Sequence, residues 1–398
     1  MNSSYRAFAL FLYNACLAVF LSYGVFFNDV SSKFGLPSSY TSLVFGAFAI
    51  CYSVSSVLLG LFMNTRGPGK AILLGGSMMA AGLMLSSLAV SFPMLLLTYG
   101  VIGGLGSGSM WMPTSYVVFD MFDEAGIKSA TGLISAGTAA GLIFFPPLES
   151  YLIGELGLDA AFLSVGLVIF VFTLMAHHAS RESKVVLRFE PREVMKSLKT
   201  RRFGMFYTYY AAGNAFARTL VTIFVVSLYV SMGLGKGVGT MALSFIGVGS
   251  LLGRLTAGAE RVNEETMAAL GFVLQGVSTV GLLLSSNLLS VSLFALLFGV
   301  GYGAYIPEFA LLIRKYFGME HYGSIFGTLL TSFGIGAFVG PVFEGSLVTS
   351  MGGYALGFEV AAAVSIGAGL SLLYVGMRTP KITSAATVYS GGTGEQPA

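Results

Sequence analysis

Two arginines lie within apolar stretches of this sequence, where a charge needs a physical explanation. Arg254 lies in an apolar run from 238 to 259, and Arg218 lies near the middle of a run from 203 to 230. Each run can cross a bilayer as a helix, and an arginine at such a helix centre costs about 2.5–3.5 kcal/mol on insertion scales. A guanidinium that faces a water-filled cavity can offset that cost by holding a carboxylate in its planar fork of donors.

Simpler explanations of both arginines stay open at this stage. Arg254 can extend towards lipid headgroups, because Glu260 lies only two turns further on. Arg218 can form a structural pair with Glu308, a carboxyl in another apolar run. Glu308 can instead take up a proton in its low-dielectric surroundings, or face Arg314 near the cytoplasmic end of its helix.

Polar and aromatic side chains accompany the arginines on the same apolar stretches. Around Arg218 a polar stripe follows helical spacing on one face, which predicts a cavity wall. Its members are Tyr207, Tyr210 or Ala211, Asn214, Arg218 and Thr222. Aromatic rings can bracket the carbon skeleton of an acid and an amide can hydrogen-bond to it, whereas ordinary helix packing is the alternative for each. The further candidates for direct contact are Trp111, Tyr302, Tyr305, Phe309 and Asn14.

Other titratable or glycine-rich features do not indicate catalysis, metal binding or a cofactor. Three histidines lie at predicted cytoplasmic boundaries without a carboxylate cluster: His177, His178 and His321. Three glutamates lie near predicted outer helix ends, where we expect them to be solvated: Glu149, Glu344 and Glu359. The glycine-rich stretch 103–108 lacks the Gly-Lys-Ser/Thr of a phosphate-binding loop. No nucleophile–base constellation is recognisable, so we do not expect an enzyme.

Composition indicates a membrane protein with many spans. Of the 398 residues, 55% are hydrophobic and 10% are charged, against about 25% charged residues in soluble domains. The 53 glycines fit close helix packing within a bilayer. Apolar runs between short polar breaks predict an all-α membrane protein with twelve transmembrane helices. The predicted spans are 6–27, 41–63, 71–91, 94–117, 129–152, 159–179, 203–230, 238–259, 266–286, 289–313, 324–349 and 354–375.

Basic residues predict the orientation of the chain in the plasma membrane. If the N- and C-termini are cytoplasmic, 17 of the 21 Lys and Arg residues lie inside and only Lys33 and Lys236 outside, as the positive-inside rule requires. The linker can rest on anionic headgroups or be a plain solvated connector. The predicted domains are an N-terminal six-helix bundle at 1–180, a basic cytoplasmic linker at 181–202, a C-terminal six-helix bundle at 203–376 and a disordered cytoplasmic tail at 377–398.

The two halves share a glycine spacing. A shift of 195 residues places six of the ten glycines between 103 and 157 onto glycines of the second half. Pro146 and Glu149 land in the same way on Pro341 and Glu344. Parallel six-span repeats related by an axis along the membrane normal describe the major facilitator architecture, whose substrate site lies near mid-membrane. We therefore expect two pseudo-symmetric six-helix bundles with the site between them.

Three stretches resemble the monocarboxylate transporters and the related oxalate/formate antiporters. Residues 99–113 resemble the fourth span of that family, and residues 129–141 resemble the fifth. Gly253-Arg254 followed by Gly258 is similar to the eighth span, whose arginine is the expected carboxylate ligand. The resemblance covers most of the chain and implies that Arg254 holds the substrate.

The sequence also departs from the pattern of that family. Asn64 and Thr65 replace the charged pair of the loop after span 2, and Trp111 stands where a tyrosine is common. Leu21 and Ser250 occupy the positions of the lysine and aspartate that animal members carry, which weakens the transfer of their proton-coupling mechanism. The lysine that oxalate/formate members use in span 11 is missing from that span.

These features together predict a monomeric transporter of small organic anions that works by alternating access. Monocarboxylates such as lactate or pyruvate are the first expected substrates, with proton coupling as an option. A dicarboxylate or oxalate-type anion exchanger is the first alternative, favoured by the two arginines. A membrane sensor that binds without transport is the second. The expected partners are a small carboxylate, protons and the lipid bilayer, but no nucleic acid.

Overall fold

The computed structural model describes a helical chain. No strand occurs among the described residues, so the predicted all-α fold is confirmed. Most of the predicted tail lies outside the described part of the chain, as do His321 and Glu260. The described residues are 3–111, 113–114, 116–117, 124–183, 191–256, 262–317 and 322–378.

Helices occupy all twelve predicted positions, which we call spans 1 to 12. Span 1 comprises Ser3–Ala15, Ala18–Leu21 and Gly24–Phe34; span 2 is Ser38–Arg66; span 3 is Pro68–Ser86; span 4 comprises Phe92–Leu95, Leu96–Gly103 and Gly104–Ser107; span 5 is Glu124–Leu156; span 6 is Leu158–Ala179. Span 7 comprises Arg201–Tyr209, Tyr210–Ala217 and Arg218–Ser231; span 8 is Lys236–Thr256; span 9 is Glu264–Leu284; span 10 is Leu288–Phe317; span 11 is Tyr322–Met351; span 12 is Ala355–Arg378. A short helix, Pro191–Leu198, lies in the linker.

The described spans have the length and apolarity of membrane helices. Ten helices of the described chain are long and apolar enough to cross a bilayer, and they belong to spans 1–3 and 6–12. Span 4 is divided into shorter pieces, with an apolar stretch at Phe92–Ser107. The helices run a few residues beyond most predicted ends, because hydropathy detects the apolar centre of a helix and not its polar last turn.

Spans 1 and 7 are irregular at corresponding positions. Span 1 breaks at 16–17 and again at 22–23, and Tyr210–Ala217 in span 7 is a π-helix. The repeat shift of 195 residues maps 15–22 onto this π segment. Irregular backbone at membrane depth is tolerated where it is buried in protein or lines a cavity, and π segments are frequent at functional sites.

Helix contacts repeat between the two halves. In the first half, span 2 packs on span 4, span 3 on span 6 and span 1 on span 5. The same pattern recurs in the second half as spans 8 and 10, 9 and 12, and 7 and 11. Among the described helices, the halves meet mainly through spans 2 and 11, spans 5 and 8, and spans 1 and 7. This arrangement confirms the predicted pair of pseudo-symmetric bundles.

Glycines bring spans 8 and 10 to backbone contact. A Cβ at Gly253 would collide with the backbone of span 10, and a Cβ at Gly303 would collide with that of span 8. Small residues permit such an approach between membrane helices. Arg254 follows Gly253 and Tyr302 precedes Gly303, so the contact places these two side chains beside each other.

The halves touch closely at one face of the bundle, which we call the distal face. It is the end opposite the chain termini, where residues 35–37 join spans 1 and 2. Lys236 Nζ lies 2.5 Å from Asp29 Oδ2, and Ser227 Oγ donates to Asn28 Oδ1 at 2.9 Å. The Ser39 amide of span 2 donates to Thr349 Oγ1 of span 11 at 3.2 Å. These contacts all cross between the halves and close this face.

The expected solvation of Glu149 and Glu344 is wrong, whereas Glu359 is exposed as expected. Both carboxyls are fully buried, because spans 5 and 11 continue for about two turns beyond them and are covered by neighbouring helices. Ser22 Oγ donates to Glu149 Oε1 at 3.0 Å. Glu344 lies directly against Gly357 of span 12, where a Cβ would collide with its carboxyl.

Candidate functional site

One cavity between the halves collects most of the predicted residues. Its walls come from spans 1, 2, 5, 7, 8, 10 and 11 and from the turn after span 4. Its lining residues in the described chain are Leu17, Phe20, Leu21, Tyr52, Trp111, Thr138, Tyr210, Asn214, Arg218, Arg254, Tyr302, Ile306, Leu330 and Phe333. Both arginines line it, and no carboxylate occurs among these described residues. The site is therefore cationic with apolar walls.

The cavity is small. The centre of a water molecule can reach about 50 Å³ of it. One water needs about 10–15 Å³ by the same measure, so the space holds about four waters or a compact ligand of a few heavy atoms.

Arg218 begins the last helix of span 7, directly after the π segment. The side chain is 3% exposed, and its Nε donates to Asn214 Oδ1 at 2.8 Å. Its guanidinium carbon lies 4.7 Å from the ring centroid of Tyr302 and 5.4 Å from that of Phe333. The Nη1 atom is buried without a hydrogen-bond partner among the described residues. An unsatisfied buried charged donor is costly, and the described residues supply no acceptor for this atom.

Arg254 points from span 8 across the cavity to the first half. Its Nη1 donates to the backbone carbonyl of Ser135 in span 5, and its Nη2 lies 3.4 Å from Tyr302 Oη. Its Nε lies 3.4 Å from Ser250 Oγ. The side chain is 9% exposed and does not extend to headgroups. The alternative of a snorkelling arginine therefore does not describe this structure.

Tyr302 stands between the two guanidinium groups. Its ring centroid lies 4.7 Å from the guanidinium carbon of Arg218 and 5.7 Å from that of Arg254. An aromatic face attracts a cation through its quadrupole, and the attraction is larger where water is excluded. The ring thus lowers the cost of holding two like charges in one cavity.

Tyr305 supports the site from behind and does not line the cavity. Its hydroxyl lies 3.1 Å from Asn214 Oδ1 and 2.8 Å from Gln275 Oε1. Gln275 Nε2 donates to the Gly213 carbonyl and to Ser365 Oγ, at 2.9 Å each. This buried chain of hydrogen bonds fixes Asn214, which in turn holds Arg218. Sequence reasoning missed Gln275, although a lone amide within an apolar span is a visible signal.

The other predicted residues are divided between the cavity and its surroundings. Trp111 lines the cavity. Asn14 does not, because its amide donates to Leu10 O at 3.2 Å and to Thr114 Oγ1 at 3.0 Å, which ties span 1 to the segment that follows span 4. Phe309 is fully buried and packs on Tyr210, with ring centroids 5.0 Å apart. Asn14 and Phe309 therefore stabilise the walls.

Glu308 is buried at 2% exposure and is not among the lining residues. His177 lies at the end of span 6 near the termini, where its Nδ1 is 2.7 Å from the Gly69 carbonyl. Sequence reasoning missed Ile306 and Phe333 in the cavity. The repeat shift would have found Ile306 as the counterpart of Trp111, since both positions line the same space.

Comparison with known proteins supports the same kind of molecule. Monocarboxylate transporter 9 of Rattus norvegicus is 33% identical over 152 residues, which are 38% of this chain and 30% of that protein. The match thus spans less than a third of that relative. Monocarboxylate transporter 4 of Gallus gallus is 23% identical over 353 residues, 85% of this chain and 74% of that protein. An MFS-type transporter of Gibberella moniliformis is 23% identical over 333 residues, 81% of this chain and 78% of that protein.

A family-level match extends over nearly the whole length. The Major Facilitator Superfamily model matches residues 7–307 and 259–389. Those residues cover all or most of every span and include every lining residue of the cavity. The apolar helices and the repeated packing agree with a multi-pass membrane transporter. The chain belongs to the major facilitator superfamily.

Proposed function

We propose that this protein moves small organic anions across the membrane by alternating access, with monocarboxylates such as lactate and pyruvate as substrates. The observation that carries the proposal is the pair Arg218 and Arg254 in one buried cavity that has no carboxylate among its described lining residues. Guanidinium groups bind carboxylates with geometric fit. The apolar walls suit a short carbon skeleton, and the names of the monocarboxylate transporter relatives point to the same substrate class.

The packing of the halves supports an alternating-access mechanism. Contacts such as Lys236 with Asp29 close the distal face. Rocking of the halves about the central cavity would break them and open this face. We further propose that the distal face is the outer one and that both termini are cytoplasmic in the plasma membrane, as the basic residues predict.

A dicarboxylate or oxalate-type exchanger is the second candidate, because two guanidinium groups flank one ring. Tyr302 lies within 6 Å of both groups, so a short diacid could place one carboxylate at each. Such an acid would match the charge of the cavity completely, whereas a monocarboxylate leaves one positive charge to the aromatic rings.

Transport by purified protein in liposomes tests both candidates. Labelled lactate, pyruvate, succinate and oxalate are offered to empty liposomes and to liposomes preloaded with the same unlabelled acid, and a trapped pH dye records protons. Net uptake of lactate or pyruvate supports the first proposal, and uptake of succinate or oxalate only after preloading supports the exchanger. Binding of an acid without flux would indicate a sensor. If the protein neither binds nor transports any of these acids, the organic-anion function is refuted.

A further inference from the structure

The two arginines of the cavity differ in how many of their donors are already used. All three nitrogens of Arg254 have acceptors within 3.4 Å, namely Ser250 Oγ, the Ser135 carbonyl and Tyr302 Oη. The Ser135 bond crosses from the second half to the first. Arg254 therefore acts in this state as a contact between the halves, and three of its five N–H donors already have acceptors.

Arg218 has donor capacity that the protein does not use. Its Nε donates to Asn214 Oδ1 at 2.8 Å, while its Nη1 has no partner among the described residues. Asn214 Nδ2 is also buried without a partner in the described chain. Because Nε can only donate, the oxygen of Asn214 must face Arg218, which fixes its amide orientation. A charged donor of Arg218 and a neutral donor of its hydrogen-bond partner Asn214 are thus both buried and both unsatisfied.

Buried donors without partners are rare in folded proteins and call for an explanation. A negatively charged acceptor would satisfy the Arg218 donor, and a carboxylate is the simplest such organic ligand. The rings of Tyr302 and Phe333 lie against the Arg218 guanidinium.

We propose that Arg218, with Asn214, is the primary carboxylate anchor of this protein, and that Arg254 is a positioning residue that ties span 8 to span 5. This inference rests on the proposed organic-anion function and assigns the roles within its site. It reverses the expectation from the family resemblance, in which the arginine of span 8 holds the substrate.

Tyr305 and Gln275 complete the anchor without touching the acid. The Tyr305 hydroxyl lies 3.1 Å from Asn214 Oδ1, and it helps to keep that oxygen turned away from the cavity. Span 12 reaches the same chain through Ser365, whose Oγ accepts from Gln275 Nε2 at 2.9 Å. The orientation of the anchor is thus set by the second half alone.

Binding to the purified full-length protein tests the assignment. Trp111 is the only tryptophan and lines the cavity, so its fluorescence during titration with L-lactate and with succinate reports occupancy. The variants are Arg218→Gln, Arg218→Lys, Arg254→Gln and Arg254→Lys. Arg202→Gln is the matched control, because Arg202 is exposed at the start of span 7 over the ring of Tyr316.

We expect Arg218→Gln to weaken binding of the acid at least a hundredfold and Arg218→Lys at least tenfold, since lysine keeps the charge without the fork. For L-lactate, Arg254→Gln should stay within about fivefold of the wild-type affinity and should instead increase the spread of distances between spin labels on spans 5 and 8. Arg202→Gln should change neither. Size-exclusion profiles verify folding, and the lysine variants decide the assignment if a glutamine variant aggregates.

The possible results distinguish the assignment of Arg218 from the organic-anion function on which it rests. Loss of binding in the Arg254 variants with retention in the Arg218 variants overturns the inference and leaves the anion function intact. Equal losses at both positions also overturn it. If the wild type binds neither lactate nor succinate, the carboxylate function itself is refuted, and the assignment of Arg218 is refuted with it.

Discussion

Removal of the ion pair between Lys236 and Asp29 should favour opening of the distal face. The two side chains belong to different halves, and Lys236 Nζ lies 2.5 Å from Asp29 Oδ2. If the halves separate at this face during alternating access, the pair exists only in the distally closed state. Its loss therefore changes the equilibrium between the states by the free energy of the pair.

Exposure of the pair sets the size of this effect. The side chains of Lys236 and Asp29 are 28% and 34% exposed, so water screens much of their attraction. Exposed pairs contribute about 0.2–1 kcal/mol in double-mutant cycles. Because 1.4 kcal/mol corresponds to a tenfold change, Lys236→Met should lower the ratio of closed to open molecules by up to about fivefold. The change should shrink in high salt, which screens exposed charges.

Spin labels on the distal ends of spans 5 and 11 can measure the ratio. Leu156 and Met351 are 60% and 69% exposed, one in each half. Their cysteine variants, in a background with Cys16→Ala and Cys51→Ala, carry one label each. Double electron–electron resonance then gives the populations of short and long distances with and without Lys236→Met.

A second ion pair on the same face provides a matched control. Lys33 Nζ lies 2.5 Å from Asp159 Oδ1, and both residues belong to the first half. Lys33→Met removes a similar pair that does not join the halves, so the populations should not change. A charge swap of Lys236 and Asp29 should restore the closed population. Equal shifts in both lysine variants, or no shift in Lys236→Met, would refute the reasoning.

Three further predictions concern the cavity and its walls. Gly303→Ala should destabilise the protein by about 1–3 kcal/mol, because the added methyl group overpacks against span 8. Gly367→Ala should not destabilise it, because no atom lies within 4 Å of the added Cβ. Thermal unfolding in detergent compares the two variants. Tyr302→Phe should keep lactate affinity within about threefold of the wild type, because it retains the ring that contacts both guanidinium groups. Tyr302→Ala removes the ring and should lower lactate affinity at least tenfold. Fluorescence titration measures both affinities. Asn14→Ala should lower the melting temperature and leave affinity unchanged, and the reverse result would contradict its placement in the wall.

The architecture could be predicted because a bilayer restricts the choices. A spanning segment must satisfy its own backbone, so apolar length alone indicates a helix. The shift of 195 residues identified the repeat. The excess of glycine predicted close helix packing, and spans 8 and 10 pack closely at Gly253 and Gly303. The breaks of span 1 and the π segment of span 7 escaped prediction, because hydropathy does not distinguish an α-helix from a π-helix.

The site could be predicted in its charges but not in its pairings. Arg218 and Arg254 stood out because a cation in an apolar run is costly. Their partners could not be found, since Ser135 contributes only a backbone carbonyl and Tyr302 is one of many aromatics in the chain. Glu149 and Glu344 were misjudged for a related reason. Distance to a helix end does not reveal that a neighbouring helix covers the same turn.

The polarity of the cavity is unequal although the fold is repeated. The second half supplies both guanidinium groups and Asn214, whereas the first half supplies mainly apolar and aromatic side chains such as Leu21 and Trp111. The repeat counterpart of Asn214 is Val19, which carries no donor. An acid held by Arg218 would therefore stay with the second half while the halves rock. The first half would act as the movable wall, and its motion would break polar bonds between the halves beside the cavity, such as those from Arg254 to the Ser135 carbonyl and from Ser53 Oγ to the Leu330 carbonyl.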